Sequence, residues 1–137
     1  MTPELDLDQR LMLKPVSKSI LPNLLEAYNE DPNAAQTALP WLDATSNVQG
    51  QLSDMLFDVE SQAGADELHF WWVCEQETNT FVGLIGLGDE LQLVGSSYNL
   101  GYWVRPSYQR QGIALMAANR IFTWLEQRTI AEQAHHR

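Results

Sequence analysis

The chain has 137 residues, of which 8 are Lys or Arg and 18 are Asp or Glu, for a net charge of −10, and 45% of it is hydrophobic. A domain of this length buries about two-thirds of its unfolded surface, so a core forms without disulfides or metals and a disordered chain is excluded. No apolar run approaches the ~20 residues of a membrane span, and residues 1–10 have neither the basic nor the apolar region of an export signal, so neither a membrane nor that export route is expected.

Cys74 is the single cysteine and has no internal partner, which fits a reducing cytoplasm. One Cys with His69, His135 and His136 is too small and too scattered a set for zinc. Phosphate affinity comes from clustered Lys and Arg, and here Lys14 and Lys18 are the only lysines, so nucleic acid is not an expected partner. The acidic balance would suit a basic partner such as an amine or a basic peptide, but first of all it keeps the protein soluble.

In chain order the elements are mixed α and β, an α/β (α+β) arrangement, in one continuous domain over residues 1–137. Residues 10–15 alternate weakly and stop at Pro15, as a first strand does. Ile20, Leu21, Leu24, Leu25 and Tyr28 recur at helical spacing, with Pro22 in the first turn where its missing N–H costs little, so a helix is predicted over 19–28. Residues 29–33 break it, and a loop is predicted from there to Leu42. Val48, Leu52, Met55, Leu56 and Val59 form one apolar face of a second helix. Ser46 and Gln49 have the spacing of a capping box, which predicts a start near Ser46, and Gly64 ends the helix.

Residues 68–74 are apolar on both alternating faces except for His69, as in a central strand covered on both sides. Turn chemistry at 77–80 and an extended run at 81–87 complete a predicted antiparallel hairpin. A loop over 88–97 follows, then a strand over 98–104 closed by Arg105-Pro106. From about Gln111 a last helix places Ile113, Met116, Ala117, Ile121, Trp124 and Leu125 on one face.

The unit that carries chemistry is the strand ending at Val104, the turn through Tyr108, and the helix opened by Gly112. The first amides of a helix lack intrahelical partners and the macrodipole adds about half a positive charge there, so the unit suits an anion. Gly112 lets a ligand approach the backbone, and Ala114 keeps the next contact small. Arg105 and Arg110 are expected to add local positive charge, which prevails at contact distance because free charges beyond about 8–10 Å are screened.

The string Leu100-Gly101-Tyr102-Trp103-Val104-Arg105-Pro106-Ser107-Tyr108-Gln109-Arg110-Gln111-Gly112-Ile113-Ala114 resembles the acetyl-CoA-binding signature of the GNAT superfamily of N-acetyltransferases. That signature is Gln or Arg, two residues of any kind, Gly, any residue, then Gly or Ala. Within the superfamily the chain is most similar to the ribosomal-protein N-terminal acetyltransferase branch, which has a similar Gly-Tyr-Trp strand and a segment like Leu39-Pro40-Trp41. The resemblance covers residues 10 to about 127. It implies a mostly antiparallel central sheet with helices on both faces, and transfer of acetyl from acetyl-CoA to a primary amine, such as a protein N-terminal α-amino group. Backbone amides of Gln109, Arg110, Gln111, Gly112, Ile113 and Ala114 would hold the CoA diphosphate. The strand edge near Trp103 and Val104 would pair with the pantetheine arm and aim the thioester carbonyl at a strand amide.

The chain departs from the family in two ways. Members of this branch often have Glu where this chain has Asn99, and Asn99 can orient a water or the acceptor but cannot take its proton. Asp89 and Glu90 are replacement candidates, and no catalytic residue is assigned. In the family, the signature helix leads to a further strand, a helix with a CoA-contacting Asn, and a closing hairpin. Residues 129–137 resemble none of these, so a missing C-terminal third is expected, as in a fragment, a dimer that covers the gap, or a degraded gene product. A homo-oligomer is expected because an uncovered sheet edge is seldom left open. The alternative is a CoA-binding or interaction module without turnover.

Other residues draw functional readings that their surroundings make unremarkable. Cys74 on an apolar strand is expected in the core. His69 is expected at a strand edge with an ordinary partner. Trp71, Trp72 and Trp103 are expected in the core. Trp41 alone is placed by the resemblance beside the acceptor.

Overall fold

The computed structural model describes residues 2–64, 68–87 and 100–135. Five strands form one antiparallel sheet in the order β1-β2-β3-β4-β5, namely Leu5–Asp6, Leu11–Pro15, His69–Glu75, Phe81–Leu87 and Leu100–Val104. The helices are α1 (Leu21–Glu30), α2 (Pro32–Ala38), α3 (Val48–Gly64) and α4 (Ile113–His135).

Alternation along the strands builds two cores, one on each face of the sheet. Phe70, Trp72 and Cys74 of β3 pack with Leu24 of α1, Ala35 of α2 and Leu52, Leu56 and Val59 of α3. Trp71 and Val73 point the other way and meet Ile113, Ala117 and Ile121 of α4. β3 is therefore buried on both sides, which is why its sequence is a near-continuous apolar run. Cys74 is wholly buried, and desolvation pushes its thiol pKa up, so it is not a nucleophile poised for reaction.

The structure corrects the sequence expectations at several places. The segment predicted as a loop before Leu39 contains α2, because Asp31 accepts the Ala34 amide (3.2 Å) as N-cap and Pro32 occupies the first turn. The start of α3 is capped by Asn47, whose Oδ1 accepts the Gly50 amide (3.0 Å), rather than by Ser46. Gln51 reaches back instead of Gln49, donating to the Asp43 carbonyl (2.8 Å) and accepting the Asp43 amide (2.8 Å). Two-residue β1 carries no sequence signal and pairs with β2 through Leu5 and Asp6.

His69 stands at the start of the central strand, buried, with ordinary side-chain partners. Arg128 of α4 lies 3.1 Å from its Nε2, and a guanidinium only donates, so Nε2 accepts. That leaves Nδ1 to donate to Thr2 Oγ1 at 2.8 Å. Trp124 stacks edge-on against both His69 and Trp71, at 5.1 and 5.4 Å.

Candidate functional site

β5 ends at Val104 and the chain turns through a 3-10 turn, Pro106–Tyr108, before α4 opens at Ile113. The Arg105 amide donates to the Val82 carbonyl (2.8 Å), which makes Arg105 and Val82 a hydrogen-bonded pair of the ladder. In an antiparallel pair such partners alternate, so Trp103 also turns its amide and carbonyl to β4. Tyr102 and Val104 then present theirs to the outer edge of β5, which no other described strand covers. Gln109 closes the lower end of this edge by donating its side-chain amide to the Val104 carbonyl (3.0 Å).

The backbone between the turn and α4 is left-handed at two positions, Arg110 (φ 66°) and Gly112 (φ 72°). For Gly112 this conformation carries no steric penalty, and a Cβ placed there would meet no atom within 4 Å, so the surface above it is open to a ligand. The Tyr108 and Gln109 amides are used within the turn, donating to Arg105 and Pro106 carbonyls. The Met116 amide, donating to the Gly112 carbonyl, makes the first bond of α4. Between them, the amides of residues 110–115 have no acceptor among the described residues, and the positive end of a 23-residue helix lies behind them.

These elements border an open cleft of about 450 Å³. Of the sequence-predicted residues, Val104, Gln109, Arg110, Gly112, Ile113 and Ala114 line it. Trp103 does not, because alternation turns its indole to the opposite face, where it is 3% exposed and packs on Phe81 at 5.8 Å. Its neighbour Tyr102 takes the cleft position, together with Tyr108, Leu115 and Ala118. The period of two along β5 already carries that information. Gln111 is drawn to the flank, where its Oε1 accepts from Arg10 Nη2 (3.1 Å). Arg10 lies over the Tyr108 ring and pairs with Glu75 (3.3 Å).

Arg105 does not supply the free positive charge expected of it. Its Nε donates to Glu30 (2.9 Å), its Nη2 to Glu26 (3.0 Å) and its Nη1 to the Phe81 carbonyl (3.1 Å). Burial works against its charge, but the two carboxylates outweigh it and hold the guanidinium pKa above its usual value. Arg110, by contrast, has no ion pair among the described residues and faces the cleft. It is the cation available to an anion there. Asp89, Glu90 and Asn99, the candidate groups for handling the acceptor's proton, lie outside the described residues.

Trp41 is half-buried at a separate shallow groove of about 250 Å³ with Gln51, Asp54, Met55 and Asp58. Among the described residues the indole N–H groups of Trp41 and Trp103 are buried without an acceptor.

The unpaired amides, the open Gly112, the cation at Arg110 and the outer edge of β5 fit an elongated ligand with a phosphate group at one end and amide groups along its length. Residues 10–136 match the family model described as an acetyltransferase (GNAT) domain. No curated protein matches the sequence. Among solved structures, a RimL ribosomal L7/L12 α-N-protein acetyltransferase in its apo form superposes with a TM-score of 0.73 at 18% identity, over 94% of this chain and 67% of that one. An acetyltransferase from Salmonella typhimurium that modifies the N-terminal serine of L7/L12 gives 0.72 at 18% identity, over 92% and 69%. A ribosomal-protein-serine acetyltransferase structure from Vibrio cholerae gives 0.69 at 23% identity, over 94% and 71%. The chain thus spans about two-thirds of the length of these structures and shares their fold. With the domain model matched from residue 10 to residue 136 and the anion cradle at the start of α4, this chain belongs to the GNAT family of acetyltransferases, whose acetyl donor is acetyl-CoA.

Proposed function

We propose that the chain, as one domain over residues 1–137, transfers acetyl from acetyl-CoA to a protein N-terminal α-amino group. The observation that carries this reading is the run of unpaired amides over residues 110–115 beside the outer edge of β5. Amides of Arg110, Gln111, Gly112, Ile113 and Ala114 would receive the diphosphate of the cofactor, with the Arg110 guanidinium beside it. The amide and carbonyl of Tyr102 and the amide of Val104, rather than groups of Trp103, offer the edge to the pantetheine amides. Bound there, acetyl-CoA supplies the acetyl group as an activated thioester. The acceptor class follows the ribosomal-protein acetyltransferases that share the fold, and the net charge of −10 favours a basic peptide.

A homo-oligomer in the cytoplasm belongs to the same reading. The exposed apolar Phe122 (42%) and Ile130 (59%) of α4, which do not line the cleft, favour cover by a second copy. No helix of the described residues is long and apolar enough to cross a membrane.

The test is calorimetric titration with acetyl-CoA alongside light-scattering mass, followed by mass spectrometry of N-terminal peptides incubated with both. Micromolar binding, about −8 kcal/mol, with acetylation of an α-amine supports the reading. Binding without turnover on any amine would reduce it to a CoA-binding module, and absence of binding by folded protein would refute the cradle.

A further inference from the structure

We propose that Glu30, the last residue of α1, is a positioning residue for the cofactor loop. This rests on the cofactor reading of the cleft, although Glu30 itself does not line it. Its Oε2 accepts the Ser107 amide (2.9 Å), and its Oε1 accepts the Ser107 hydroxyl (2.8 Å) and Arg105 Nε (2.9 Å). Those three bonds join the end of α1 to the turn from which residues 109–112 are suspended.

The amide inventory of the loop shows what the carboxylate does. Pro106 has no N–H, and the amides of Arg105, Tyr108 and Gln109 bond to backbone carbonyls. Ser107 alone in this half needs an outside acceptor, and Glu30 provides it. The loop is consequently saturated up to Gln109 and unsaturated from Arg110 onward. Residues able to pair are tied down, and residues able to bind a ligand are left open. The left-handed φ of Arg110, unfavourable for a residue with a Cβ, needs such an anchor to persist.

Electrostatics within α1 argue the same way. Glu26 and Glu30 are like charges one turn apart in the last turns of α1, next to the helix's own negative end. Taken alone, that pair destabilises the helix. Arg105 reverses the balance by pairing with both carboxylates while its side chain is 11% exposed. On the opposite flank Arg10 reaches Gln111 from an exposed position, a looser tether. Glu30 is thus the stiffer of the two supports.

The experiment compares wild type, Glu30→Ala and Glu30→Gln at a temperature well below each unfolding midpoint, with two readouts. Hydrogen exchange without ligand is expected to rise about tenfold for the bonded amides of 107–109 in Glu30→Ala, matching the loss of a charge-assisted bond. Amides in β3 and β4 should keep wild-type protection. Coenzyme A affinity should fall about tenfold in Glu30→Ala and less in Glu30→Gln, whose amide oxygen can still accept from Ser107. Unchanged loop exchange in folded Glu30→Ala overturns the proposal. So does coenzyme A binding to Glu30→Ala as tight as to wild type. If wild type binds no coenzyme A while loop exchange still rises, Glu30 positions the loop and the cofactor reading is what fails. If Glu30→Ala does not fold, Glu30→Gln decides through both readouts.

Discussion

At Gly112 the backbone is left-handed and the space above it is empty, so a substitution acts on conformation and on ligand access together. Gly112→Val is expected to destabilise the fold by about 1–2 kcal/mol through its positive φ. It should also weaken coenzyme A binding by at least about tenfold, because a branched side chain would stand where the phosphates approach the amides. Thermal unfolding and calorimetry measure the two effects separately. Arg110 gives the opposite pairing of signs. Arg110→Gly removes a Cβ from a left-handed position, so the variant should be no less stable than wild type. It also removes the available cation of the cleft, so coenzyme A should bind more weakly. Tighter binding by Arg110→Gly would show that the guanidinium does not meet the ligand.

Glu30 adds a pH dependence with a defined sign. Burial raises its carboxyl pKa, but bonds from the Ser107 amide and hydroxyl and from Arg105 outweigh that and hold it below its usual value. A depressed carboxylate stabilises the fold above its unfolded value, and that contribution is lost as pH falls through the folded one. Protection of loop amides should therefore be intact at neutral pH and decline on acidification at the acid end of the carboxylate range. In Glu30→Gln the decline should vanish.

At the scale of elements, β4 and β5 approach closely at Gly83. A Cβ there would fall within contact distance of the Trp103 carbonyl, a backbone atom that cannot swing aside. Gly83→Ala is expected to cost about 1–3 kcal/mol and to lower coenzyme A affinity, because β5 carries Arg105 and the loop behind it. Ile121→Ala, wholly buried under the sheet, should cost about 2–5 kcal/mol and leave affinity unchanged at temperatures where the variant is folded. A matched loss of affinity in both variants would mean that the site follows global stability rather than β5.

How much of this could be read from the sequence depended on how local the cause was. The apolar stripe of α3 and the double-faced burial of β3 are periodic signals, and both elements lie where the pattern places them. α2 is seven residues long with no amphipathic repeat, and its only signal is the Asp31-Pro32 start. The signature loop gave the position of the anion cradle, since Gly112 and the helix behind it are adjacent in the chain. What it could not give was the state of Arg105. The carboxylates that occupy Arg105 lie more than seventy residues earlier, on a helix brought alongside only by folding.

For the whole molecule, a net charge of −10 and an anionic ligand oppose each other at long range, whereas the amides and Arg110 attract at contact. Raising ionic strength from about 10 mM to about 150 mM shortens the screening length from about 30 Å to about 8 Å. The association rate of coenzyme A is thus expected to increase over that range in stopped-flow measurements. A rate that falls with salt would mean that the local positive field dominates approach as well as contact.

His69 has a consequence of a different kind. One imidazole holds Thr2 before the first strand and Arg128 far along the last helix, so positions separated by nearly the entire described chain meet on a single ring. Contacts of such long sequence separation form only after the loops between them have closed. The clasp is therefore a late event in folding: weakening it should accelerate unfolding and leave the refolding rate almost untouched. The imidazole works as a seal on a finished structure, and the lifetime of the native state, more than its ease of assembly, depends on it.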